Sequence, residues 1–185
     1  MNIKNNRRSK ITKKIFQETL LELLENNYIT DISIKTLCDR ADLNRSTFYM
    51  HYGNQMELLR EIEDEAYTQV ESFIKDGIGP DGTADQRGVL MNFLNYVKKN
   101  EKLFKILLGS KGSQDFQEKI MELTLTASDL VGKTRKNHLS KKAMYEHRYR
   151  IAGCTNVIEI WIENGFDLSV KDVTDMLIKL STKIN

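Results

Sequence analysis

Apolar positions recur every three or four residues along most of the chain, and no run of useful length alternates apolar with polar, so the pattern predicts helices nearly throughout. The first helix is expected from Ser9 or Lys10 to Glu25, with Ile11, Ile15, Leu20, Leu23 and Leu24 inward and Asn26-Asn27 closing it through a left-handed cap. Tyr28 and Ile29 are expected to pack beneath the helices that follow. Ser33 then reads as an N-cap, and Ile34, Leu37, Cys38 and Ala41 mark one buried face of a short helix. Asp42-Leu43-Asn44 interrupts the pattern, Leu43 plugging the turn and Asn44 capping a third helix from Arg45 to Tyr52. That helix keeps mainly Phe48 and Tyr52 for the core and presents polar side chains outward, which suits contact with a polar partner rather than packing. Asn54 caps a fourth helix with the register Met56, Leu59, Ile62, Ala66, Tyr67, Val70, Phe73 and Ile74, running to about Asp76 and spanning roughly 30 Å.

Three glycines and the only proline fall in residues 77 to 83, the clearest loop of the chain. Helices are expected from about Ala84 to Lys99, from Asn100 to Leu108, and from about Ser113 to Lys133. From Tyr145 the positions Tyr149, Ala152, Gly153, Asn156, Val157, Ile160, Trp161 and Asn164 make a stripe whose small residues admit a close helix neighbour, and Gly165 ends it. Ser169 and Asp172 resemble a capping box for a last helix with Val173, Met176, Leu177, Leu180 and Ile184 inward. The fold class is therefore all-α. An N-terminal three-helix helix-turn-helix domain over residues 1–54 is followed by a second helical bundle over 55–185, about nine helices in all.

The order Ala41, Leu43, Asn44, then Ser46-Thr47-Phe48-Tyr49-Met50-His51-Tyr52-Gly53-Asn54 and Glu57-Leu58-Leu59, resembles the DNA-binding domain of TetR-family transcriptional regulators. The likeness is close over residues 10 to 60 and architectural beyond them, although Trp161 to Phe166 also resembles the shorter C-terminal domains of Firmicutes-type members. Two residues depart from the pattern. Asp42 stands where the family has a turn glycine, and aspartate is among the few residues that tolerate a left-handed backbone. Gln55 stands where the family has a lysine on a DNA phosphate. The resemblance implies a repressor that binds a palindromic operator as a homodimer and is released by a small-molecule effector, with the last two helices as the dimer interface.

Charge sharpens the reading. Net charge over 185 residues is only +2, yet residues 1 to 14 hold Lys4, Arg7, Arg8, Lys10, Lys13 and Lys14 without an acid. A basic arm ahead of a helix-turn-helix suits phosphate or minor-groove contact with double-stranded DNA. Arg45, Ser46, Tyr49 and Met50 are the expected base readers. Thr36, Thr47, His51, Arg7, Arg8 and Lys10 are the expected phosphate contacts, with Asn44 and Gln55 beside them. Residues 133 to 150 carry seven Lys or Arg against one Glu and read as a solvated segment. An aromatic stripe of Phe93, Tyr96 and Phe104 with Phe116 and Met121 offers a lining for an effector cavity, against the more ordinary reading as core. Tyr149, Gly153, Val157, Ile160, Trp161, Met176 and Leu180 are the expected dimer residues.

Other chemistry finds no support. The chain has no phosphate-cradling glycine loop, zinc cysteine pairs or nucleophile elbow, so no enzyme, cofactor or metal is expected. His138 and His147 do not share the four-residue spacing of helical metal ligands. Cys38 and Cys154 read as buried reduced thiols. No run of eighteen apolar residues occurs and the N-terminus lacks a signal-peptide core, so a cytoplasmic protein with no membrane partner is expected. The competing function class is a helical co-regulator or adapter acting through protein contacts.

Overall fold

The computed structural model describes residues 3–78, 85–109, 111–113, 115–117, 119–120 and 140–182. Among these the protein is α-helical without a β-strand, and it divides into two compact units, Met1–Ala66 and Tyr67–Asn185.

The first unit holds α1 (Ile3–Leu24), a 3-10 turn (Ile29–Asp31), α2 (Ile34–Ala41), α3 (Arg45–Tyr49) and the first half of α4 (Gln55–Asp76). Helix α1 starts two turns earlier than its apolar stripe suggests, because residues 3 to 8 contain no glycine or proline to stop it. The basic arm is therefore a helical extension, which carries Arg7, Arg8 and Lys10 exposed on its surface. Its buried face also differs from expectation. Phe16, Leu20 and Leu24 are inside with Thr19, whereas Ile11 is 54% exposed and Ile15 and Leu23 are half-buried. Phe16 sets the face, since its ring meets Phe48 edge-on at 5.3 Å and Tyr52 at 6.4 Å. No left-handed residue closes α1. Asn26 and Asn27 instead fold back, both backbone N–H groups and the Asn27 side-chain amide donating to the Leu23 carbonyl. Tyr28 is exposed rather than packed beneath the next helices.

Helix α4 starts as predicted. Asn54 Oδ1 accepts from Glu57 N–H at 3.0 Å, and the Glu57 carboxylate returns to accept from Gly53 N–H at 2.7 Å. Leu58, Leu59, Ile62 and Ala66 are buried, which carries the first compact unit to Ala66, a dozen residues past the boundary drawn from sequence at residue 54. Met56, placed inward by the register, lies partly exposed, and Leu58 takes the core position.

The second unit contains the rest of α4, then α5 (Gln86–Lys99), α6 (Glu101–Leu108), helical residues within 115–120, α7 (Lys141–Glu163) and α8 (Val170–Thr182). Helix α5 packs on α8, and α7 packs on both α6 and α8. The shared core is Leu94, Val97, Phe104, Ile106, Leu107, Phe116, Ile158, Trp161, Ile162, Val173 and Leu177. Its caps are local: Asp85 for α5, Ser140 for α7, and Ser169 for α8, whose Oγ accepts from Asp172 N–H at 3.1 Å. The chain leaves α7 through consecutive left-handed residues, Gly165 at φ 67° and Phe166 at φ 61°. A bulky residue in that region is strained. The Phe166 ring is held edge-on to Trp161 at 4.8 Å, and Trp161 Nε1 donates to the Leu168 carbonyl at 2.9 Å, so packing retains the turn. Met121, Ile184, the loop 79–84 and the basic residues 133–139 lie outside the described residues, as does most of the helix expected over 113–133.

Candidate nucleic-acid interface

The helix-turn-helix is built from three local devices. Ser33 Oγ accepts from Thr36 N–H at 3.0 Å and lies 2.8 Å from the Thr36 hydroxyl, starting α2 and fixing the Thr36 side chain at its exposed N-terminal end. Asp42 takes the left-handed conformation, φ 52° and ψ 43°, and its N–H and that of Leu43 both reach the Cys38 carbonyl. The chain thus reverses within two residues. Asn44, extended at φ −72° and ψ 146°, opens α3 with no hydrogen bond from its own side chain, which leaves the amide exposed at the helix start.

Helix α3 is only one and a half turns long, and Phe48 anchors it. The Phe48 ring is fully buried against Phe16, and Tyr52, 4% exposed, closes the far end with its N–H on the Phe48 carbonyl at 2.9 Å. At 100° per residue Ser46 and Met50 lie opposite Phe48, with Tyr49 about 100° and Arg45 about 60° round from it on the same side. All four are exposed, Tyr49 at 58% and Met50 at 74%. Tyr49 and Met50 thus stand side by side as large exposed side chains, the Tyr49 ring meeting Phe48 edge-on at 5.8 Å. Thr47, His51 and Gln55 are half-buried at its edges. The expected readers therefore share one face, and Thr36 is exposed on the neighbouring helix.

A cation and an anion lie behind the reader. Lys13 Nζ of α1 pairs with Glu61 Oε1 of α4 and stands 5.4 Å from the centre of the Tyr52 ring. Burial alone would raise the Glu61 pKa, but the hydrogen bond from Lys13, the neighbouring Tyr52 hydroxyl and the charges of Lys13 and His51 bring it below the ordinary carboxylate value. Burial, reinforced by the Glu61 carboxylate, pushes the Tyr52 hydroxyl far above its usual value, so it stays protonated. Sequence patterning missed this group because its members lie on three elements. Burial also raises the Cys38 and Cys154 thiols, keeping them protonated.

The other candidate residues divide. The Phe104 ring meets Phe93 and Tyr96 edge to face at 5.9 and 5.3 Å, with Phe73 against Tyr96 at 5.6 Å, and Phe116 is fully buried. On α7, Tyr149 is 71% exposed, and Ala152, Gly153, Asn156 and Ile160 are exposed along the same face, as is Leu180 on α8. Val157 and Met176 are half-buried. Trp161 is inside its own chain, because the helix turns its Ile158, Trp161 and Ile162 side toward α6 and α8. Among the described residues no group of His, Cys, Asp or Glu is placed to hold a metal ion, and no helix is long and apolar enough to cross a membrane.

Residues 86–183 match the family described as a transcriptional regulator C-terminal region. The chain is similar to DhaS, the HTH-type dhaKLM operon transcriptional activator of Lactococcus lactis subsp. lactis (strain IL1403), at 27% identity over 113 residues; the match spans 60% of this chain and 57% of that protein. A TetR transcriptional regulator from Streptococcus agalactiae 2603V shares the fold at a TM-score of 0.67 and 17% identity, with 96% of this chain and 97% of that chain covered. A TetR-like regulator from Rhodococcus sp. RHA1 does so at 0.68 and 16% identity, with 92% and 93% covered.

Proposed function

The chain belongs to the TetR family of transcriptional regulators, and on that premise we propose that it binds a palindromic operator in double-stranded DNA as a homodimer and represses transcription there. The observation that carries this reading is the face of Arg45, Ser46, Tyr49 and Met50, exposed on a helix pinned from behind by Phe48. Two such helices enter successive major grooves, with half-site centres roughly 34 Å apart. Arg45 donates to a guanine edge, and Met50 meets a thymine methyl. Thr36, Thr47, His51, Gln55 and the helical extension with Arg7, Arg8 and Lys10 hold the phosphates.

The exposed stripe of Tyr149, Gly153, Ile160 and Leu180 supports pairing through α7 and α8. A small-molecule effector acts on the second unit, and α4, continuous from Gln55 to Asp76, is the route by which it changes the reader. The protein has no catalytic role and works in the cytoplasm, where its DNA is. Selection of sites from random duplexes by the purified protein tests this reading. Recovery of an inverted repeat supports it, and recovery of no preferred sequence favours an adapter acting through protein contacts.

Activation is a second reading, because the relative from Lactococcus lactis is named a transcriptional activator. A reporter carrying the selected operator separates the two: deletion of the protein raises expression under repression and lowers it under activation.

A further inference from the structure

We infer that Lys13, Glu61 and Tyr52 form a positioning clamp that sets the aim of the recognition helix, an inference that rests on the DNA-binding reading above. Helix α3 has five residues, too few to hold its own orientation by packing, and Phe48 is its only buried side chain. A single anchor leaves rotation about that anchor open. The second point of support is Tyr52, three residues past the end of α3, over whose ring stands a cation from another helix. Lys13 of α1 stands over its ring and pairs with Glu61 of α4. Tyr52 Oη and Glu61 Oε2 are both enclosed without a hydrogen-bond partner, and the nearby Glu61 carboxylate adds to burial in raising the Tyr52 hydroxyl pKa. One turn further along both helices, Gln17 Nε2 donates to Glu65 Oε2 at 3.2 Å, a second rung between α1 and α4.

None of the three clamp groups belongs to the exposed reading face. Tyr52 is buried and Lys13 and Glu61 are partly covered, with side chains 34% and 27% exposed. Their effect on recognition is therefore indirect. A reader displaced by an ångström still meets phosphates but misaligns the directional bonds to base edges, so the loss falls on sequence-specific affinity.

The test uses the full-length chain and its selected operator, with Lys13→Met, Glu61→Gln and Tyr52→Phe compared for operator affinity, scrambled-duplex affinity and melting temperature. Each variant is expected to lose about tenfold in operator affinity, and Lys13→Met with Glu61→Gln together to lose little more than either alone. Affinity for scrambled duplex stays at the wild-type level for Glu61→Gln and Tyr52→Phe, their salt dependence is unchanged because no phosphate contact is removed, and Lys13→Arg restores operator binding. Tyr52→Phe keeps the ring in the core, so it reports on the clamp even where the charge variants unfold. The inference is overturned if operator and scrambled affinities fall together, if the losses merely follow melting temperature, or if Tyr52→Phe and Glu61→Gln bind the operator as tightly as wild type. A wild-type chain that prefers no sequence overturns the DNA-binding reading itself, and the clamp with it.

Discussion

Asp42 is the residue on which the reader's geometry turns, because it alone holds the left-handed step between α2 and α3. Alanine lacks the polar side chain that eases this conformation, so Asp42→Ala is expected to cost about 1 kcal/mol or more in urea unfolding, while Asp42→Gly is neutral or stabilising. Arg45 is exposed on the face proposed to read bases. Arg45→Ala is expected to lose about 1–3 kcal/mol at one operator position and to relax the base preference there. Equal weakening across all sequences, measured by competition binding, would remove Arg45 from the readers. In the phosphate position proposed for it, Gln55 would donate at most a neutral bond and release no counterion. Gln55→Lys is expected to steepen the log–log salt dependence by about 0.9 with unchanged sequence preference. Glu61 adds a pH signature. Its folded pKa lies below its ordinary value of 4.5, so the stabilisation is present above that pH and is lost as pH falls through the folded value. The melting-temperature gap between wild type and Glu61→Gln should be widest near neutrality and close in acid.

At the scale of elements, α7 divides into a covered face and an uncovered one. Its Ile158, Trp161 and Ile162 side supplies the core of the second unit, while Tyr145, Tyr149, Gly153 and Ile160 remain uncovered in the single chain. Gly153 is informative because a glycine inside a helix costs about 1 kcal/mol relative to alanine. A Cβ built on it meets nothing within 4 Å, so nothing among the described residues requires a glycine there. If a second copy approaches at this point, Gly153→Ala raises the unfolding free energy of the monomer by up to about 1 kcal/mol and weakens self-association. Sedimentation at a series of concentrations reads the second effect, and unchanged association would move the dimer contact away from Gly153. Helix α1 carries the converse lesson. Periodicity found the helix and put Leu20 and Leu24 inward, but it missed Phe16 and placed Ile11 inside, since Phe16 is chosen by Phe48 and Tyr52 rather than by spacing.

At the scale of the molecule, one continuous helix begins in the reader unit and ends in the second. Helix α4 has 22 residues, about 33 Å, and buries Leu58 and Ile62 in one stretch and Val70 in the next. A ligand that prefers a conformer with misaligned readers lowers DNA affinity by the ratio of its affinities for the two conformers, and DNA disfavours that ligand equally. A fragment of residues 1–76 is expected to keep weak half-site contacts while losing dimerisation, tight operator binding and any effector response. Gel-shift and sedimentation measurements check this. A fragment that dimerised and bound the operator like the intact chain would leave the second unit no part in pairing or regulating the readers.

Local chemistry was legible in the sequence by itself: the all-helical class, the Ser33, Asn54 and Ser169 caps, the turn at Asp42 and the polar character of residues 45 to 51. Each of these depends on groups within about four residues of one another, the reach of helical hydrogen bonds and caps. The tertiary structure decided which of several apolar faces is buried. It turned α1 onto Phe16, took Trp161 from the outer stripe into the core, and brought Lys13, Tyr52 and Glu61 together from three elements. Burial is settled by neighbours far away in the chain, and two apolar stripes on one helix look alike until one of them is covered.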